Sequence, residues 1–134
     1  MRGASSTESR PMTVISELSQ LHPAWADAFN ASDIDAMLAL AEPDQVFVPA
    51  PGTALQGEGA KGALEQFLAL RLPISMTVRH AFEANEIGLV IVDWSISGTG
   101  PDGSPVELEG TTADVARRGA DGWKFVIDNP FGTA

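Results

Sequence analysis

The hydrophobic period of this chain changes once, and the change divides it in two. Up to Arg71 apolar residues recur every three or four positions, and from Ile74 onward they alternate. A period of 3.6 lines residues along one face of a helix and a period of 2 lines them on one face of a strand, so helices should precede a sheet. Leu18, Leu21, Trp25, Ala28 and Phe29 share one helical face. Pro23 lies inside that pattern and should kink the helix or start a second segment. Asn30 to Asp33 is a break, with Asp33 placed to cap a short helix carrying Ile34, Met37, Leu38 and Leu40. Val46, Phe47 and Val48 read as a short strand closed by a loop over residues 49–52. A third helix is expected from about Glu58 to Arg71, buried through Ala60, Ala63, Leu64, Phe67 and Leu68 and stopped by Pro73.

Four strands follow at about 74–83, 87–98, 105–117 and 122–129, punctuated by Asn85 and Glu86, by residues 100–103 and by residues 119–122. Turns this short join neighbours antiparallel, so the strands form a meander. Three helices and a meander make an α+β domain, with the helices on one face of a curved antiparallel sheet. At 134 residues there is room for a single domain, assigned to residues 12–132 behind a disordered tail over 1–11.

Composition narrows the function. Eighteen acidic against eight basic residues leave a net charge of −10 with no basic cluster, which disfavours nucleic acid and anionic membranes. Cysteine is absent, which removes thiolate chemistry and Cys-ligated metals. His22 and His80 are not spaced as metal ligands, so no metal or cofactor is expected. There is no apolar run of about 20 residues and no secretory signal, so the expected location is cytoplasmic.

The stretch WADAFNASDIDAMLAL at residues 25–40, continued to Gly52, resembles the opening of NTF2-like domains of the SnoaL-like and ketosteroid-isomerase-like kind. TADVARRGADGWKFVIDNPFG at residues 112–132 resembles their last two strands. The resemblance covers most of residues 15–132 and implies a cone-shaped (cystatin-like) fold around a pocket for a small, largely apolar molecule. It also implies a homodimer. In the isomerases a tyrosine on the first helix and a protonated aspartic acid on a late strand hold the ligand oxygen, while a second aspartate moves the proton. Asp114 matches the late-strand acid, but Trp25 stands at the tyrosine position and the base position falls at or next to Pro49. Ketosteroid isomerisation is therefore disfavoured, and the same fold also serves cyclases, epoxide hydrolases and non-catalytic modules.

With Asp114 facing inward, alternation brings Thr112 in beside it, Leu89, Ile91, Asp93 and Ser95 on the neighbouring strand, and Phe125, Ile127 and Asn129 on the last. Trp25, Phe29 and Phe47 complete the expected lining. His80 shares the apolar face of Ile74, Met76, Val78 and Phe82, within reach of Asp93. His80 and Asp93 are accordingly candidates for an acid/base dyad, with Asp114 a third catalytic candidate. Each could equally be a hydrogen-bonded structural group. Asp33, Asp44 and Asp128 are assigned to capping, turn and outer-face roles. Val90, Val92, Trp94, Ile96 and Val115 then face outward and offer a dimer surface. The expected functions are a cofactor-independent isomerase, cyclase or epoxide hydrolase acting on a small polyketide- or terpenoid-like compound or, alternatively, a non-catalytic ligand-binding or dimerisation module.

Overall fold

The computed structural model describes residues 14–134. The tail expected over residues 1–11 lies outside them. A short 3-10 turn (Leu18–Gln20) leads into α1 (Leu21–Asn30), followed by α2 (Ile34–Ala39), β1 (Ala41–Ala50), β2 (Thr53–Leu55) and α3 (Gly57–Leu68). The meander is β3 (Ile74–Ala84), β4 (Ile87–Thr99), β5 (Pro105–Gly119) and β6 (Gly122–Asp128). All six strands form one sheet in the order β2-β1-β6-β5-β4-β3. Every pairing is antiparallel except β1 with β6.

Local chemistry explains most boundaries. Pro23 sits in the first turn of α1, where backbone N–H groups have no intrahelical partner, so it begins the helix without breaking it. The Asp33 side chain accepts a hydrogen bond from Ala36 N at 3.1 Å and caps α2. Asn85 and Glu86 both take positive φ, the conformation of the tight hairpin turn between β3 and β4. At the other end of α1, Asn30 behaves as a strand surrogate: its Oδ1 accepts from Ile74 N at 2.8 Å and its Nδ2 donates to Ile74 O at 3.2 Å. That clamp fixes α1 against the start of the edge strand β3. β2 falls where only a loop was expected, paired to β1 across a turn in which Gly52 has a φ of 77°.

The core lies between the helices and one face of the sheet. Leu18, Leu21, Trp25 and Phe29 from the N-terminal segment meet Val90, Val92, Trp94 and Ile96 of β4. This reverses the expected facing of β4: Leu89, Ile91, Asp93 and Ser95 point away from the helices. The residues expected to form a dimer surface, Val90, Val92, Trp94 and Ile96, are core residues.

Two β-bulges cause further inversions. Between Val78 and His80 the register of β3 on β4 shifts by one residue, so Ile74, Met76 and Val78 face the helices whereas His80 and Phe82 lie exposed on the other side. A second irregularity, opposite Val115 and Ala116, leaves Phe125 inward but turns Ile127 out and Asp128 in. An extra residue in one strand exchanges the faces of everything beyond it.

Gly110 sits where β5 passes beneath the chain end. A Cβ there would lie 2.9 Å from both Pro130 O and Trp94 Nε1, two atoms already joined by a 2.7 Å hydrogen bond. Gly110→Ala should therefore destabilise the protein by about 1–3 kcal/mol through overpacking. Gly62, within α3 and with nothing near its absent Cβ, provides the control. Gly62→Ala should stabilise by about 0.4–1 kcal/mol, both values being read from urea unfolding.

Candidate functional site

The inner face of the sheet and the helices enclose an apolar cavity whose walls come from α1 (Trp25, Phe29), β1 (Phe47), α3 (Leu64, Phe67), the inner residues of β3 and β4, and Phe125 of β6. The Trp25 and Phe29 rings stack at 5.4 Å. The cavity volume is about 40 Å³, above the roughly 10–15 Å³ that admits a water molecule. Phe67, Met76 and Pro130 are its half-buried wall residues and place its mouth between α3, β3 and the chain end.

At the closed end three titratable side chains meet. His22 Nε2 lies 2.6 Å from Asp114 Oδ2. Asp114 Oδ1 accepts from Asn129 N, also at 2.6 Å. The buried Asp128 carboxyl lines the same cavity and is coupled electrostatically to that of Asp114. The β-bulge in β6 brings Asp128 to this position, beside Phe47 on the parallel β1. All three residues are buried, and an edge-on contact with Phe125, with ring centroids 4.9 Å apart, fixes the imidazole plane.

Burial governs the protonation of this cluster. It pushes the Asp114 carboxyl up to about 8, against the lowering effect of the Asn129 N–H and the Asp128 side chain. Asp128 is driven well above the ordinary carboxylate range, first by burial and then by the charge of Asp114. His22 is lowered to about 4 by burial, with the charge of Asp128 opposing. A neutral imidazole beside two protonated carboxyls has no net charge. Moving one proton along the 2.6 Å bond to give imidazolium and carboxylate leaves both proton count and charge unchanged. The cluster thus pairs an acid with a base without burying an uncompensated charge.

The expected site residues divide into two groups. Asp114, Trp25, Phe29, Phe47, Thr112 and Phe125 line the cavity. Leu89, Ile91, Ser95 and Ile127 lie on the opposite sheet face, and Asn129 contributes its backbone N–H to Asp114 while its side chain donates to Gly132 O at 2.8 Å. The proposed dyad is not assembled. His80 stacks on Phe82 on the outer face, and Asp93, also exposed, accepts from Thr111 Oγ1 at 2.9 Å and pairs with Arg79 at 3.5 Å. Sequence reasoning weighed His22 only as a metal ligand and assigned Asp128 to the outer face, from which the β6 bulge turns it inward. The missed signal for His22 was its spacing, four residues after Leu18 and three before Trp25, which puts it on the buried stripe of α1.

Residues 23–126 match the family model described as the SnoaL-like domain. The chain belongs to this family. Solved structures of similar fold include a Thiobacillus denitrificans protein described provisionally as a calcium/calmodulin-dependent protein kinase type II association domain, 23% identical, with 87% of this chain and 95% of that one covered and a TM-score of 0.71. A Streptomyces avermitilis protein of the NTF2-like family, described provisionally as a dehydratase, is 20% identical over 82% of this chain and 89% of its own, with a TM-score of 0.69. A ketosteroid isomerase-like protein from Erwinia carotovora is 20% identical over 83% and 89%, with a TM-score of 0.70. No curated protein matches the sequence. Similarity at this level establishes the fold, and the chemistry must be argued from the residues of this SnoaL-like domain. Its cluster contains one imidazole and two carboxyl groups, yet among the described residues no group of three His, Asp or Glu is arranged to hold a metal ion.

The cluster predicts a pH signature for stability. The folded protein keeps carboxyl protons that an unfolded chain releases above about 3.8, and it lacks an imidazole proton that an unfolded chain carries below 6.5. Between these values the gain at His22 with rising pH offsets one of the carboxyl losses. Above 6.5 only the losses remain, so stability should fall more steeply from pH 6.5 to about 8. Urea unfolding at pH 5.5, 6.5 and 7.5 should show that steepening; His22→Gln should remove the break at 6.5, and Asp114→Asn with Asp128→Asn should remove the fall above it.

Proposed function

We propose that this SnoaL-like domain is an acid/base enzyme that needs no cofactor and acts on a small, uncharged, largely apolar molecule by isomerisation, cyclisation, dehydration or epoxide opening. The observation that carries the proposal is the His22–Asp114–Asp128 cluster at the closed end of an apolar cavity. A carboxyl that keeps its proton near neutral pH can donate to a substrate oxygen, and a neutral imidazole linked to it can return or accept the proton. Neither group then has to change its ionisation state before reaction.

The cluster also suggests how this chain manages without the groups that ketosteroid isomerases use. Pro49 does not line the cavity, but Asp128 enters it from β6 beside Phe47, two residues earlier on the neighbouring strand. A carboxyl thus reaches the cavity from β6, whereas neither Glu42 nor Asp44 of β1 lines it. A larger ligand would enter past the half-buried Phe67 and Met76, and Phe67, whose ring stands edge-on to Phe47 with centroids 6.3 Å apart, would have to turn aside.

Turnover of a panel of unsaturated ketones and small epoxides tests the reading. The kcat/KM profile should be level between about pH 5 and 7, falling below 4 as His22 protonates and above 8 as Asp114 ionises. Asp114→Asn and His22→Gln should each lower kcat by about 10²–10⁴-fold. Ligand binding without turnover in the unaltered protein would favour the non-catalytic module, for which the narrowness of the closed cavity is the supporting observation.

The partner in solution is proposed to be a second copy of the chain. Phe82, Leu89 and Ile127 are exposed on the outer sheet face at 57, 40 and 37% of their surface, with Ile91 and Val115 beside them. Apolar groups clustered on a sheet face favour association. Light scattering should give a dimer mass at micromolar concentration, and Leu89→Lys with Ile127→Lys should give a monomer that still binds its ligand.

A further inference from the structure

Most polar atoms of the cavity wall already have partners. Trp94 Nε1 donates to Pro130 O at 2.7 Å, and the Asp114 oxygens take His22 Nε2 and Asn129 N. His22 Nδ1 is unpartnered but sealed from solvent. Two groups differ from all of these. Thr112 Oγ1 and Trp25 Nε1 make no hydrogen bond with any described residue, and neither is sealed in as His22 Nδ1 is, although Thr112 is only 2% and Trp25 only 9% exposed. Both residues line the cavity.

We infer that the Thr112 hydroxyl and the Trp25 indole N–H read an oxygen of the ligand, selecting uncharged molecules that carry a carbonyl or ether oxygen over their hydrocarbon counterparts. The inference rests on the cavity being the ligand site. The indole can only donate and the hydroxyl can donate, so together they match an acceptor. Thr112 lies two residues before Asp114 on the same face of β5, a separation of about 6.6 Å along the strand. One small polar group can therefore lie between the hydroxyl and the carboxyl. Charge argues the same way: no Lys or Arg lines the cavity and its closed end carries two carboxyls, so an anionic ligand would find no counter-ion. A hydrocarbon leaves the two donors stripped of water and unpaired, and such a mismatch is what makes hydrogen-bonding sites selective.

Cyclohexanone and methylenecyclohexane test this, because the second replaces the carbonyl oxygen by CH₂ at nearly constant shape. The quantity to compare is the ratio of their Kd values, which cancels general hydrophobicity between protein variants. Thr112→Val should shift the ratio about tenfold against the ketone, one hydrogen bond's worth, and Thr112→Ser should restore it. Trp25→Phe should shift it in the same direction and serves as the second variant if Thr112→Val does not fold. In NMR spectra of a protein with three tryptophans, the ketone should move the Trp25 indole resonance and the alkene should not. Equal weakening of both ligands by Thr112→Val and Trp25→Phe would overturn the inference while leaving the cavity as the ligand site. Binding of neither ligand to the unaltered protein would overturn both.

Discussion

The Asp114 carboxyl joins three parts of the chain that are far apart in sequence. One oxygen faces His22 on α1, the other takes the Asn129 N–H just beyond β6, and Asp128 leans on the same group. A carboxyl this deeply buried is tolerable only because each oxygen has a partner and because the cluster as a whole can be neutral. The same arrangement draws α1 onto the sheet at its N-terminal end, while the Asn30 clamp on Ile74 holds the other end. Between these anchors Trp25 and Phe29 form a wall of the cavity. The feature that fixes the helix on the sheet also gives the cavity its reactive end.

The helices were legible because they rest on local rules. The change of period at Ile74, the Asp33 cap, the stop before Pro73 and the Asn85–Glu86 turn all work over a few residues, and all reappear in the structure. The facing of the strands was not legible in the same way. On β4 both alternating sets are apolar, Leu89 and Ile91 on one side and Val90 and Val92 on the other, so hydrophobicity alone could not choose. Packing chooses: a Cβ on Gly88 would stand 2.6 Å from the Leu18 side chain, so the Gly88 side is the one that can lie against the helices. The bulges near Arg79 and Val126 leave no compositional mark, yet they moved His80 out, Ile127 out and Asp128 in. The site was therefore half visible, with Asp114 found by resemblance and both of its titratable neighbours missed.

Membership of the SnoaL-like family sets the frame of the site without setting its chemistry. By resemblance, Trp25 stands at the tyrosine position of ketosteroid isomerases and their base position falls at or next to Pro49, whereas this chain groups His22, Asp114 and Asp128. Every member of that group is held by backbone geometry: His22 by the first turns of α1, Asp114 by the straight run of β5, Asp128 by a bulge. Such positions are set to fractions of an ångström by the scaffold, which acid/base chemistry requires and a mobile loop does not provide.

The two-sided apolar character of β4, which made its facing hard to read, is itself a physical clue. A strand with one wet face usually alternates apolar with polar residues, whereas one covered on both faces reads as a continuous apolar run. From Ile87 to Val92 only Gly88 interrupts such a run. The helices cover one side, and on the other Leu89, Ile91 and Ile127 meet solvent in the isolated chain. The proposed homodimer would supply the second cover, and the division along that face supports it. Toward the far end of the sheet, Arg79, Asp93 and Thr111 satisfy one another as a polar margin, leaving the apolar residues grouped beside them as an interface core. On this reading Asp93, which the sequence offered as a catalytic acid, belongs to the polar rim of a contact surface.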